Sequence, residues 1–369
     1  MRNVFGNNLT ITLFGESHGD AIGACIDGLS SGIYIDEEFI AKQMDKRKPK
    51  GSISTARKES DVCHIVSGVF EGYTTGTTLT IIITNDNKIS KDYEKTKDIA
   101  RPSHADFSAS KRYLGFQDYR GGGHFSGRLT AAIVACGAIC LQMLDSKGIK
   151  VASHIKSIGN IEDDDFDMSI IDEQMDKLND SYFATLNDDI SDKMQKLIAD
   201  MAKNMDSIGG SIETIVTNVP SGIGEPYFDS IESIISHGLF SIGAIKAVEF
   251  GDGIAMSKMS GSKANDPFRI QDGKVVTVTN HNGGINGGIT NGMPIIVRSY
   301  IKPTPSIYQK QDSINFKTMT NETLEIKGRH DPCITHRIRV VIDSMIAICL
   351  CDMLQTRNTT LYFNAKEKL

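Results

Sequence analysis

The residues best equipped for chemistry in this sequence are histidines set among glycine, serine and arginine. Gly15-Glu16-Ser17-His18-Gly19 follows an alternating segment, Leu9 to Phe14, so its polar side chains emerge where a strand ends on a flexible turn. That is a suitable address for a catalytic group. The same five residues fit the G-x-S-x-G elbow of serine hydrolases, where a strained strand-to-helix turn exposes the serine. An elbow needs a helix next, whereas Ala21 to Leu29, with Gly23, Asp27 and Gly28, reads as another strand. A hydrolase using Ser17 remains the alternative. In Arg101-Pro102-Ser103-His104-Ala105-Asp106 a proline stiffens the turn, and a histidine lies beside a guanidinium and near a carboxylate. With an unperturbed pKa near ~6.5, His104 can give or take a proton at neutral pH. A lone histidine is more often structural, and what weakens that reading is that His18 has the same kind of setting.

The most informative segment is Asp118-Tyr119-Arg120-Gly121-Gly122-Gly123-His124-Phe125-Ser126-Gly127-Arg128-Leu129-Thr130. Three glycines let backbone N–H groups approach an anion, the following helix start favours negative charge, and Arg120 and Arg128 can add bidentate contacts. No Gly-Lys-Ser/Thr ending is present and no ribose-binding acid follows at the right spacing, which speaks against ATP and dinucleotides. A single copy without interleaved aromatics speaks against RNA. A second glycine-rich run, Asn280-His281-Asn282-Gly283-Gly284-Ile285-Asn286-Gly287-Gly288-Ile289-Thr290-Asn291-Gly292, precedes a strand and then Lys302-Pro303-Thr304-Pro305-Ser306. Taken alone, that run also reads as a hairpin connection. Lys327-Gly328-Arg329-His330-Asp331-Pro332-Cys333, with Arg337 and Arg339 just beyond, sets an Asp beside His and Arg, where protons can be relayed. Arg47, Arg57, Arg101, Arg120, Arg128, Arg329, Arg337 and Arg339 lie in or beside these clusters, a distribution that favours planar recognition of carboxylates and phosphates.

These clusters need strands and turns to position them. Leu9 to Phe14, Val62 to Phe70, Leu79 to Thr84, Ser211 to Val219, Ala247 to Phe250, Val275 to Asn280 and Pro294 to Tyr300 read as strands. Glu37 to Lys46, Ser126 to Lys147 and Thr335 to Gln355 read as helices, the second with Ser126 as N-cap and Gly148 as stop. The acidic stretch from Ile149 to Ser207 reads as structural, with a solvated helical insertion at about 160–207. Clustered strands separated by long helices predict an α+β sandwich in preference to a doubly wound sheet. A net charge of -6 argues against general nucleic-acid binding. No run of about 18 apolar residues and no secretory pattern occurs, so neither a membrane nor export is expected. The 7 cysteines include no CxxC pair or zinc spacing, which predicts reduced cytoplasmic thiols and no metal.

Taken together and in this order, GESHG, RPSHAD, the RGGG segment, the GG-x-x-GG segment with KPT, and GRHDPC resemble the chorismate synthase family across nearly the whole chain, with no appended domain. The resemblance implies a single domain over 1–369, a β-α-β sandwich of antiparallel sheets flanking long helices, and a homotetramer. It implies a lyase that makes chorismate from 5-enolpyruvylshikimate 3-phosphate by anti-1,4-elimination, using reduced FMN although the reaction is redox neutral. By the same resemblance His18 serves the reduced flavin, His104 protonates or holds the leaving phosphate, Ser17 and Ser126 relay protons, and Asp331 is the base working with the flavin. FMN contacts carry over to His124, Phe125 and Ser126, to Gly243 and Ala244, to Gly287, to Lys302, Pro303, Thr304, Pro305 and Ser306, and to Arg329. Substrate contacts carry over to Arg47, Arg120, Arg128 and Arg337. His124-Phe125 replaces an Arg-Ser pair of many members. Lys48-Pro49-Lys50-Gly51-Ser52-Ile53 lacks a second arginine that some members use for a nicotinamide nucleotide. NADPH is therefore expected only as a source of electrons for the flavin, through an external flavin reductase.

Overall fold

Buried side chains at every second position, Leu79, Ile81 and Ile83 on one strand and Ile22, Ala24 and Ile26 on its neighbour, dictate a sheet with one face in the core. The computed structural model describes residues 3–51, 53–54, 60–85, 97–326 and 330–363. Its first sheet has the order Val4–Phe5, Thr10–Gly15, Ala21–Asp27, Leu79–Thr84, Cys63–Ser67, all antiparallel. A second antiparallel sheet runs Ile245–Phe250, Ile295–Ile301, Gly210–Thr217, Lys150–Ile158, Ile161–Glu162.

Two helices fill the space between the sheets. Thr130–Asp145 lies on the first sheet, Thr335–Tyr362 on the second, and the two pack on each other. They approach closely at Gly137, where an added Cβ would lie 2.2 Å from Cβ of Ser344, so no larger residue fits without parting the helices. Val341, Met345, Ile348 and their neighbours are buried there, each contributing about 1.5–3 kcal/mol. The segment Gly127–Asp145 is long and apolar enough to cross a membrane, but 72% of it is buried inside the protein. Its apolarity is that of a core helix. Asp352 of the closing helix accepts from the backbone N–H groups of Asn7, Asn8 and Leu9 and so fixes the first strands to the core. The antiparallel sandwich flanking long helices is the expected α+β fold.

The acidic stretch contributes a strand to the core and two helices whose apolar positions recur at helical spacing. Lys150–Ile158 is an inner strand of the second sheet, and helices Ile171–Asp180 and Asp188–Lys203 bury Met175, Leu178, Met194 and Ile198. Met175 and Leu178 cover Ala152 and Ile215, on the sheet face opposite Ser153, whose hydroxyl bonds Asp343 of the closing helix. On that same covered face, directly paired residues Glu249, Arg298, Glu213 and His154 form an ionic row across four strands. His154 Nδ1 lies 2.7 Å from Asp163 and Nε2 3.2 Å from Glu213. Burial works against a charge on His154, but the two carboxylates outweigh it and raise its pKa; Glu213 is lowered to about 2 despite burial, through His154 and Arg298.

A raised histidine pKa contributes stability that is complete below its unfolded value of roughly 6.5 and is lost as pH rises through the folded value. The lowered carboxylates act oppositely, losing their contribution in acid. Thermal melts of the wild type should therefore decline above about pH 6.5. In His154→Asn that alkaline decline should vanish, with a loss of roughly 1.5–3 kcal/mol at pH 6. Parallel declines in both proteins would assign the pH dependence to other groups.

Candidate active site

The pairing of Gly15 with Ile22 closes a hairpin whose connection carries Ser17 and His18. Gly15 takes φ of +96°, and the Asn85 side chain donates to the carbonyls of Glu16 and Gly19, at 3.0 Å each. Ser17 and His18 are buried. The turn joins two antiparallel strands, not a strand to a helix, and Ser17 Oγ has no hydrogen-bond partner among the described residues. The geometry of a hydrolase elbow is not formed.

The glycine segment is pressed onto this hairpin connection. Ser17 N–H donates to the carbonyl of Gly123 at 3.1 Å, and Gly121, Gly122 and Gly123 all have positive φ. A Cβ on Gly121 would lie 2.2 Å from Cε1 of His18 and 3.1 Å from Oγ of Ser17; one on Gly122 would lie 3.2 Å from Cε1 of His104. The two histidines, distant in sequence, thus meet the same three-residue loop, and only glycine lets the backbone come so near both. Gly121→Ala should leave the sheets intact but displace His18, lowering turnover roughly 100-fold. Unchanged turnover in a folded variant would separate His18 from the chemistry.

His104 is oriented by residues outside the expected site set. Arg101 Nη2 lies 3.0 Å from His104 Nδ1, which lies 3.0 Å from Asp106 Oδ1, while Arg101 grips Asp106 at 2.6 and 2.8 Å. Burial raises the pKa of Asp106, but the hydrogen bonds from Arg101 and His104 win and hold it far below the usual range. Arg101 and the ionised Asp106 hold Nδ1, which turns Nε2 toward Gly122 as the working nitrogen. Lys302 Nζ donates to the carbonyl of Ser103 at 2.5 Å, which brings the Lys302–Ser306 segment to the same loop. Lys302 N–H bonds the carbonyl of Ala244, itself at φ +79°, next to an exposed Gly243. Ser306 is buried, and Thr304 Oγ1 is buried without a hydrogen-bond partner among the described residues.

The arginines are partly internal. Asp61, buried, accepts from Arg47 Nη2 at 2.6 Å and from Arg128 Nη1. Burial pushes the Asp61 pKa up, and the two guanidiniums more than reverse it. Arg128 also donates to Asn85 Oδ1 at 3.0 Å, which links the triad to the His18 connection. Arg337 bonds the Arg47 carbonyl at 2.9 Å through Nε and the Asp331 carboxylate through Nη1. Arg120 forms a bidentate pair with Asp118, 2.8 Å for each bond, and is more open to solvent. Arg339 instead reaches the carbonyls of Ser153 and Ser181 inside the core.

His124 Nδ1 donates to the carbonyl of Gly15 at 2.9 Å, and Phe125 is exposed against Tyr113. Ser126 caps the turn Gly127–Leu129, its Oγ accepting from Arg128 N–H, as expected for a helix start. Gly287 lies at the tip of the hairpin Ile285–Asn286 and Ile289–Thr290, and Lys302 follows the end of the strand Ile295–Ile301. Arg329 and Arg57 lie outside the described residues. Asp61 and Asn85 escaped the sequence reading because nothing local marks them; Arg101 and Asp106 had the signal of sharing a motif with His104.

The family model for chorismate synthase matches residues 9–355. Chorismate synthase of Pyrococcus abyssi is 42% identical over 352 residues, covering 95% of this chain and 97% of that protein. Its counterpart from Campylobacter hominis is 45% identical over 354 residues, covering 95% of each. A crystal structure of chorismate synthase superposes with a TM-score of 0.75 at 28% identity, over 95% of this chain and 93% of the other. With the two histidine loops, the glycine segment and the arginine set all inside the matched span, this chain belongs to the chorismate synthase family.

Proposed function

We propose that the protein is a lyase that converts 5-enolpyruvylshikimate 3-phosphate to chorismate and phosphate by anti-1,4-elimination, with reduced FMN as cofactor. The observation that carries this reading is the contact of Gly121 with His18 and of Gly122 with His104, which sets two proton-handling groups on one anion-seeking loop. Arg47 and Arg128 converge on Asp61, and Arg337 binds the Arg47 carbonyl, so guanidinium groups suited to carboxylates and phosphates gather here for the substrate's anionic groups, with Arg120 next to the glycine loop. His104, with Nδ1 bound by Asp106, delivers a proton from Nε2 to the departing phosphate. Asp331, held by Arg337, is the base on the side of the departing C6 hydrogen, His18 serves the flavin, and Ser17 and Ser126 relay protons.

The residues present suit a flavin: Thr304 Oγ1 and Ser17 Oγ are buried hydroxyls without hydrogen-bond partners among the described residues, and Lys302 is a cation beside the strained backbone of Ala244. His124, Phe125, Ser126, Gly243, Ala244, Gly287, Lys302 to Ser306 and Arg329 would hold it. Reduced FMN, when bound, supplies an electron transiently and recovers it, so none is consumed overall. The reading includes one catalytic unit over the whole chain, assembly as a homotetramer, a cytoplasmic setting and an external flavin reductase.

Anaerobic incubation with dithionite-reduced FMN should yield chorismate. NADPH and FMN in air should yield none until a separate flavin reductase is added. Chorismate from NADPH and FMN in air with the purified chain alone would refute the external reductase. Flavin-independent esterase activity with fluorophosphonate labelling of Ser17 would favour the hydrolase.

A further inference from the structure

The chain that follows Arg47 is held by two residues to which the elimination assigns no role. The Tyr182 hydroxyl accepts from Lys50 N–H at 2.9 Å and donates to the Lys48 carbonyl at 3.1 Å. Ser54 Oγ lies 3.3 Å from that hydroxyl and 2.8 Å from Nε2 of His336. A carbonyl can only accept, so the phenolic proton goes to Lys48, Ser54 donates to the phenol, and Nε2–H of His336 donates to Ser54. The two rings meet edge to face with centroids 5.5 Å apart, and Lys50 Nζ lies 5.2 Å from the centre of the Tyr182 ring.

Both anchors are fastened to the core. On either side of Tyr182, the Ser181 carbonyl accepts from Arg339 Nη2 at 2.9 Å and the Ala184 carbonyl from Ile155 N–H at 2.8 Å, which ties the tyrosine to the closing helix and to an inner strand. His336 is buried in the first turn of the closing helix, next to Arg337, whose Nε holds the Arg47 carbonyl at 2.9 Å. One turn of helix thus grips the chain at Arg47 and again at Ser54, and Tyr182 grips it at Lys48 and Lys50. Burial, and then the positive charge of Arg337, lower the His336 pKa to about 3, so the ring stays neutral beside the arginines.

We propose that Tyr182 and His336 are positioning residues for substrate binding, which hold the backbone after Arg47 so that its guanidinium keeps its place relative to that of Arg337. This rests on the lyase reading, in which both arginines bind the substrate, and it gives the acidic stretch a part in the site. In full-length enzyme with reduced FMN, Tyr182→Phe keeps the ring and removes only the hydroxyl. It should raise KM for 5-enolpyruvylshikimate 3-phosphate about tenfold and leave kcat within about twofold, the pattern of lost uniform binding. His336→Leu should do the same, whereas His336→Gln, whose terminal nitrogen comes near the place of Nε2 and can donate to Ser54, should return KM to within about threefold of wild type.

A purely structural role predicts lower melting temperatures with KM unmoved. That result, a fall in kcat at constant KM, or equal KM for the leucine and glutamine variants would overturn the proposal. Tyr182→Phe carries the test even where a substitution at the buried His336 fails to fold. If the wild type makes no chorismate with reduced FMN, the lyase reading fails instead, and deuterium exchange at the Lys50 amide still reads the anchor. Exchange should be faster in Tyr182→Phe than in the wild type, and equal exchange would show that the hydroxyl does not hold the chain.

Discussion

In His104→Ala, release of phosphate from 5-enolpyruvylshikimate 3-phosphate should fall by roughly 10²- to 10⁴-fold with the fold retained, as expected for removal of a general acid. The side chain is part-buried at the rim of the core, so its loss leaves the sandwich intact and removes the nitrogen that faces Gly122. Asp106→Asn should lower the rate less, because the imidazole remains but loses the carboxylate that binds Nδ1 and that Arg101 locks in place. The comparison is made by anaerobic stopped assays beside circular dichroism. A folded His104→Ala enzyme with the wild-type rate would remove His104 from the chemistry.

Asp61→Ala should cost roughly 3–5 kcal/mol of stability, because the buried Arg47 and Arg128 would lose the carboxylate they share. The acid sensitivity should change as well. A carboxylate with a lowered pKa contributes stability above its unfolded value near ~4 and loses it as pH falls, so this part of the acid limb should disappear in the variant. Substrate affinity should weaken together with stability, since Arg128 also anchors Asn85 and through it the His18 connection. Chemical denaturation at several pH values measures the first effect and KM the second. A variant as stable as the wild type would mean that the two arginines find other acceptors.

Features set by neighbours in sequence were legible: Ser126 does cap a helix start, Gly148 does follow the helix end with φ of +74°, and the alternation in Leu79–Thr84 does place one face in the core. Lys150–Ile158 was not, because His154 and Lys156 give an inner strand a polar appearance; their charges are met by Glu213, Asp163 and Asp165, which no local pattern predicts. The histidine motifs were legible as chemistry, but their meeting point was not. That Gly121 touches His18 and Gly122 touches His104 depends on how the first sheet packs against the loop. Arginine clustering foretold an anionic ligand without revealing that Arg47 and Arg128 share Asp61, a residue isolated in sequence from both.

Phosphate release measured without oxygen, on the same protein and substrate with FMN either fully reduced or fully oxidised, bears most directly on whether this site performs a flavin-dependent elimination. Release with chorismate formation in the reduced sample and none in the oxidised one is the predicted result. Equal release in both would contradict it.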